Sequence, residues 1–535
     1  MKTLIIIFIS VFASCNLFSQ GINYELKSTE IFKEKSKDKF IDIKLIGNDD
    51  DFYYYDLLPR YDYFGSAGNN AFHLIGKLGK NSPSFTRKKI VLESKDDALG
   101  VKGVYYLNNK LIMLREIMNK YTNRTKLVAQ GINKKNLAVY SELKTLFEIS
   151  LDSCERYNHA DYNISISADG SKLMIFYSLL DKNYYPFRFG VRVYDEHLEL
   201  LWSNNSIKPN VKKGMFEFKN FKVSNSGNVY VLGKISSIAE QNYLEGGDGF
   251  LKLSLGEFYF IQHPGFRFQI YEFSKSNKPY NCIDLSIPAR AIRDINYSIT
   301  KDDNIIAYGV FSEKGKISVL GSFTLGLDFI GKKVKNVDIK SFNSSLYSQG
   351  FSKSELRKYF NRVEDGQEWD PNNYKIGEIK TRANGDKYFI AEQWLESKAT
   401  VRSTEYTMYY YRDVFVVNLN KNNIIRSNYK ISKRQYTSLV INRSSCVNFE
   451  SNGKLYFAFN NIFRKVGGEM KYDKVYLVSL DDKGSQKKID LISDIGGKTP
   501  LILPFSQVKS GSNSVIYANL AMKSCMYSFS KLILK

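Results

Sequence analysis

This chain is poor in the residues that most enzymes depend on. Its 535 residues include only four histidines, His73, His159, His197 and His263, and no two stand in the HExxH spacing that turns two zinc ligands onto one helical face. No GxSxG occurs to form a nucleophile elbow, and Gly65-Ser66-Ala67-Gly68 lacks the spacing. Gly496-Gly497-Lys498-Thr499 looks like the end of a phosphate-binding loop, but the first glycine of such a loop would fall at Ile492. Asn48-Asp49-Asp50-Asp51 offers hard oxygens without the alternating ligands and glycine of a calcium loop. No metal or cofactor is therefore expected. Ten prolines and 35 glycines are too few for a disordered or fibrous chain. Beyond the first twenty residues no apolar run approaches the roughly 20 residues needed to span a bilayer.

Those first twenty residues have the layout of an export signal: Lys2, an apolar run from Leu4 to Ala13, then Phe18-Ser19-Gln20 before Gly21. The alternative is a lipid anchor on Cys15, after Ala13-Ser14. Either route takes the chain out of the cytoplasm, to the periplasm, the outer-membrane surface or the medium. Outside the signal, Cys154, Cys282, Cys446 and Cys525 remain as candidate disulfide cysteines with three pairings open, or as buried free thiols. The formal net charge of +22 suggests an acidic partner, but acidic residues are interspersed and no run reaches five or six like charges. A Lys-, Asn- and Ile-rich composition accounts for that charge as well, and export argues against nucleic acid.

What the chain does have is a repeated cassette, a turn of Gly, Asn, Asp or Ser followed by a strand of Ile, Val, Tyr and Phe. It reads SADGSKLMIFYS from Ser167, SNSGNVYVLG from Ser224, KDDNIIAYGV from Lys301, RANGDKYFIA from Arg382 and ESNGKLYFAF from Glu450, with weaker copies from Leu107 and Ser510. Aromatics make up 14% of the chain, mainly Tyr and Phe, as suits half-buried strands. A second hairpin recurs from Arg192, Phe268, Phe415 and Tyr476. Two hairpins per unit make a four-stranded antiparallel blade, and spaced repetition of it makes a β-propeller. Seven turns anchor seven blades; six or eight stay open, with an eighth unit suggested at GNNAFHLIGKL from Gly68. A strand near Ile22 to Lys27, or Phe40 to Ile46, would complete the last blade and close the ring. The expected organisation is a signal peptide over 1–20 and an all-β propeller over 21–535, with a helical insertion at about 340–372. Inside that insertion Ser352-Lys-Ser-Glu355 reads as a capping box, and Leu356, Tyr359, Phe360 and Val363 as a helical face.

Few candidate site residues emerge. After the helix, Glu364, Glu368 and Asp370 are the carboxylates available for catalysis, and Trp369 beside them is a platform for a sugar or peptide. In EYTMYYYRDVFVVNL, alternation puts Tyr409 and Tyr411 on one face of a strand, a second candidate binding surface. His73 falls inside an apolar strand and His197 at a hairpin turn, both structural positions.

YYYRDVFVVNLNKNN, ISKRQ from Ile431 and ESNGKLYFAFNN together resemble an uncharacterised, flavobacterial type of exported propeller-like protein of Bacteroidetes. The Phe-Ser-Gln end of the signal is similar too. The resemblance is best over Asn373 to Leu491 and implies fold and compartment, with no activity or catalytic residue. The tail CMYSFSKLILK resembles the sorting-domain ends of type IX secretion cargo, but a final propeller strand accounts for it. The sequence thus reads as an exported propeller that binds a protein or an envelope glycan rather than one that catalyses. The alternatives are a glycan-active hydrolase or lyase, and a structural subunit of an envelope assembly.

Overall fold

The computed structural model describes residues 22–33, 40–59, 72–81, 84–91, 98–119, 121–151, 160–180, 186–207, 216–236, 250–252, 258–260, 266–276, 280–300, 302–316, 318–350, 353–364, 373–401, 404–437, 445–464, 470–491, 500–521 and 526–535. These residues form antiparallel sheets of four sequential strands, with additions, arranged as a ring of eight blades: the chain is a β-propeller. In chain order the blades span 40–91, 98–150, 161–207, 216–285, 290–341, 373–431 and 447–491, with blade 8 built from 500–534 and the strand Tyr24–Ser28. That N-terminal strand lies antiparallel to the last one, Tyr24 opposite Leu534 and Ser28 opposite Ser530. The ring is therefore closed by its two ends, through the first of the two candidate strands, while Phe40–Asn48 opens blade 1 instead.

The count of seven is corrected to eight. Each cassette read from the sequence is the turn between the first two strands of a blade, and blade 1 makes that turn without glycine, at Asn48–Asp51. There the Asp49 carboxylate accepts from the amides of Asp51 and Phe52, from Tyr54 Oη at 2.7 Å and from Lys134 Nζ at 2.8 Å. Burial pushes this carboxyl up, but those donors outweigh it and hold it at about 2. The acidic cluster is a hairpin cap. The eighth unit suggested from Gly68 is the third strand of this blade, Phe72–Gly79.

The first-hairpin tips lie on one face of the ring and are tied to each other. The Asn108 amide donates to the Gly170 carbonyl at 3.0 Å, the Asp169 amide to Asn225 Oδ1, and the Ser226 amide to an Asp303 carboxylate oxygen. Gly170, Gly227 and Gly385 adopt φ of 73°, 89° and 83° there, the left-handed region where a side chain costs about 1 kcal/mol or more. Between blades the strand faces supply the core. Each of the eight junctions holds its own apolar cluster, as where Phe268, Ile270 and Ile283 of blade 4 meet Tyr297, Phe311 and Phe323 of blade 5. The junction of blades 8 and 1 is filled like the rest, with Tyr527 and Phe529 against Tyr55 and Leu57. The helical insertion is present as Ser344–Ser348, capped by Asn343, and Lys353–Glu364, whose Tyr359 is buried while Phe360 stays exposed.

Candidate functional site

Alternation of strand direction puts the turns between second and third strands, and the crossings between blades, on the face opposite the cassette tips. That loop face carries one large departure from the repeat. The second and third strands of blade 6, Lys387–Val401 and Thr404–Leu419, run 15 and 16 residues where the matching pair of blade 5 takes 9 and 10. At about 3.3 Å per residue the hairpin stands some 20 Å above the ring. Two further segments pair with it. Phe258–Phe260, from the insertion within blade 4, lies against Glu396–Lys398, and Gln435–Thr437 lies against Tyr409–Tyr411. The blade 4 insertion thus passes blade 5 to join blade 6, and a small second sheet, a canopy, rises over this sector of the loop face.

Below the canopy the inner strands of blades 4, 5 and 6 form the channel wall. Asp294 sits on the inner strand of blade 5, deep in the molecule yet with accessible surface left. Burial lifts its carboxyl from 3.8 to about 6, against the pull of Lys219, of the Ile295 and Ile376 amides and of Lys234. Nearer the cassette tip of blade 4, Lys222 Nζ meets Glu378 Oε2 at 2.6 Å and lies 5.4 Å from the centre of the Tyr297 ring. Lys219 Nζ meets Glu217 Oε1 at 3.2 Å.

Other interior charges are committed to holding strands. Glu116, fully buried, takes Lys102 Nζ at 2.5 Å, Thr125 Oγ1 at 2.9 Å and Tyr162 Oη at 3.1 Å. Asp56 and His73 pair at 2.7 Å inside blade 1, which makes His73 a satisfied core histidine. Glu392 pairs with Lys433, which also donates to Gln435, and Lys430 bridges Asp413 at 2.8 Å and the Tyr347 carbonyl at 2.6 Å. Lys380, also deep beside the channel, is pulled down by burial to about 8 and donates to the Asn448 carbonyl. Among the described residues no group of three or more His, Cys, Asp or Glu could hold a metal ion, and no helix is long and apolar enough to cross a membrane.

No family model matches the sequence, and no curated protein matches it either. Solved propellers do. The Dos1 propeller is similar at 10% identity over 95% of both chains, with a TM-score of 0.39. The β-propeller domain of the Trilobed protease from Pyrococcus furiosus is 9% identical over 82% of this chain and 94% of that one, TM-score 0.31. The polysaccharide lyase Uly1 is 10% identical over 95% of this chain and 99% of that one, TM-score 0.33. What they share with this chain is the fold.

The residues singled out in the sequence do not assemble into one site. Glu364 is the last residue of its helix and exposed, while Glu368, Trp369 and Asp370 lie outside the described residues. Tyr409 is half-buried in the third strand of blade 6, at the foot of the canopy. Tyr411 is buried, with Lys433 Nζ 5.7 Å from its ring centre, and Tyr410 is buried as well, so both faces of the strand are covered here. Cys282 and Cys446 are free thiols, lifted by burial to about 11 and about 12; Cys154 and Cys525 lie outside the described residues. Sequence reasoning passed over Asp294. Its one available signal was the pair Arg293-Asp294 interrupting an apolar alternation, the mark of a bulge. Lys219 and Lys222, noticeable only as members of a loose basic cluster, lie on the inner strand of blade 4, paired with Glu217 and Glu378.

Proposed function

We propose that this chain is an exported binding propeller that receives its partner, an envelope glycan or protein, on the loop face, between the canopy and the channel mouth of blades 4 to 6. The observation that carries this is the canopy itself. It draws on strands from two non-adjacent blades and adds nothing to ring closure, which the N-terminal strand already provides. Extra structure gathered at one end of a rigid scaffold is where binding surfaces are usually built. The opposite face, with its short interlocked turns, is occupied in holding blades to one another. The export-signal layout of the first twenty residues supports a partner in the envelope or outside it.

A photo-crosslinking side chain placed at Tyr409, near the foot of the canopy, or at Asn452, on a cassette tip, tests the reading in the native envelope. Adducts are expected from position 409 and none from 452. Adducts from 452 alone would overturn it. The second reading, a glycan-active hydrolase or lyase, is favoured by one observation, the carboxyl of Asp294 on the inner strand of blade 5, elevated by burial to about 6. Turnover of an envelope polysaccharide, abolished by Asp294→Asn, would put that reading first.

A further inference from the structure

The cassette face carries a second ring of turns nearer the rim. The third strand of each blade runs in the same direction as the first, so the turn between third and fourth strands falls on that face too. In blade 5 this turn joins Val319–Asp328 to Lys333–Ser341, and its Ile330 is 99% exposed, the most exposed large apolar side chain among the described residues. The turn holds it there. The Asp328 carboxylate accepts from the Gly331 amide at 3.0 Å, and the neighbouring Phe329 ring packs 5.3 Å from that of Tyr230 in blade 4. The matching turn of blade 6, Asn420 to Ile424, leaves Ile424 50% exposed. Thr324 Oγ1 donates to the Asn423 carbonyl at 2.9 Å and the Ile425 amide to Asp338 Oδ2 at 2.6 Å, so the two hairpins lie side by side.

Lysines surround these two tips. Lys332, Lys333, Lys335 and Lys421 are exposed, and none makes an ion pair among the described residues. The carboxylates of this sector are already engaged, Asp328 by the Gly331 amide, Asp338 by the Ile425 amide and Asp386 by Arg426 at 2.7 Å. Lys335 is also the extra residue of a bulge, since Gly326 stands opposite Asn336 but Leu327 opposite Val334. A bulge and lysines on an outermost strand blunt its free edge against pairing with another strand. What is left for recognition is a convex tip, aliphatic at its point and cationic behind. A folded partner needs a broad complementary surface, about 800 Å² per side. A bilayer needs only side chains that can enter it and lysines at the depth of its phosphates.

We propose that this outer sector of blades 5 and 6 docks on a bilayer bearing anionic phospholipid, with Ile330 and Ile424 entering the boundary between headgroups and acyl chains and Lys332, Lys333, Lys335 and Lys421 lying at the phosphates. The outer turns of blades 3 and 7 carry Glu196, Glu199, Asp481 and Asp482, which confines the contact to this sector and tilts the ring. The N-terminal strand starts on the same face, beside the last cassette turn, where Asn513 Nδ2 donates to the Leu534 carbonyl at 2.7 Å and the Lys535 amide to the Asn23 carbonyl at 3.0 Å. A lipid on Cys15 would therefore hold this face to the same bilayer. The loop face is left turned away from the lipid and open to the partner proposed above, and neither proposal depends on the other.

Co-sedimentation of the full chain with vesicles tests it, with phosphatidylcholine alone set against a mixture of phosphatidylcholine and phosphatidylglycerol. The mixed vesicles are expected to bind roughly tenfold tighter or better, and less tightly as salt is raised. Ile330→Ser should weaken that binding about tenfold, and Lys332→Gln, Lys333→Gln and Lys335→Gln together about a hundredfold, near fivefold for each charge. All four side chains are exposed, so these variants keep the fold. The same charge removed at Lys88, Lys110 and Lys358, exposed elsewhere, should cost about threefold at most, since those lysines lie away from the contact. Brominated lipid should quench the emission added by Ile330→Trp and spare that added by Leu200→Trp, beside the outer turn of blade 3. Equal affinity for the two kinds of vesicle, equal losses from the two lysine sets, or equal quenching of the two tryptophan variants overturns the proposal. So does binding that Ile330→Ser leaves unchanged and oligoglutamate competes away, which would make the sector a docking surface for an acidic polypeptide instead.

Discussion

Asp294→Asn should stabilise the protein at neutral and alkaline pH, an unusual outcome for removing an interior charge. The gap between 3.8 and about 6 amounts to roughly 3 kcal/mol of penalty on the ionised carboxylate in the folded chain. Because the folded value is the higher one, the folded state keeps a proton that the unfolded state has lost between those pH values. The penalty is therefore absent below about 3.8, grows as pH rises, and is complete above about 6. Asparagine presents the same oxygen to the Ile295 and Ile376 amides without charge, and its amide is nearly isosteric. The residual accessibility of Asp294 and the nearby Lys219 reduce the effect, so a gain of about 1–3 kcal/mol is expected at pH 8, shrinking to about a third of that at pH 4.5. Urea denaturation of both proteins at pH 8, 6 and 4.5 measures it. A variant that is less stable at pH 8, or whose difference from wild type does not change with pH, would refute the reasoning.

Gly309→Ala should cost about 2–4 kcal/mol, since its Cβ meets the Asp294 carbonyl, which is backbone and cannot move aside; the midpoint in urea reads this directly. Deleting residues 22–33 removes the closing strand along with buried Ile22 and with Phe32, whose ring packs 5.1 Å from Phe85 and 5.2 Å from Tyr527. A loss of about 5 kcal/mol or more is expected from that burial, seen as a drop of many degrees in Tm; a drop under about 2 °C would contradict closure by this strand. Glu392→Leu alone strands the Lys433 ammonium and should cost about 3–5 kcal/mol, whereas the double variant with Lys433→Met should recover most of it in a thermal scan. Cys446, buried and with its thiol lifted to about 12, should resist a disulfide reagent at pH 8 until the chain is unfolded.

The architecture was legible because each blade writes its first turn in the same few residues. Ser167 to Gly170, Ser224 to Gly227 and Arg382 to Gly385 repeat one hydrogen-bonded turn, with glycine at its positive φ, as Asn108, Asn109 and Asp303 serve in blades 2 and 5. Blade 1 escaped because its turn, Asn48-Asp49-Asp50-Asp51, is closed by the Asp49 carboxylate and so read as an acidic cluster. The canopy was half legible, since the aromatic run in EYTMYYYRDVFVVNL read as a candidate binding strand, though nothing in it marked the length of the hairpin. Its strand partners, from 258–260 and 435–437, obey no local signal. Asp294 was illegible for the same reason. Its environment is assembled from Lys219, Lys234 and Ile376, which only ring closure brings together, and its burial belongs to the packing of three blades rather than to any stretch of sequence.

The central claim, that the loop face over blades 4 to 6 receives the ligand, is tested most directly by hydrogen exchange of the full chain with and without its bound envelope glycan or protein partner. Protection is expected in 216–223, 290–299 and 394–411, with the cassette tips at 167–172, 224–228 and 382–386 unchanged. Protection confined to those tips would contradict it.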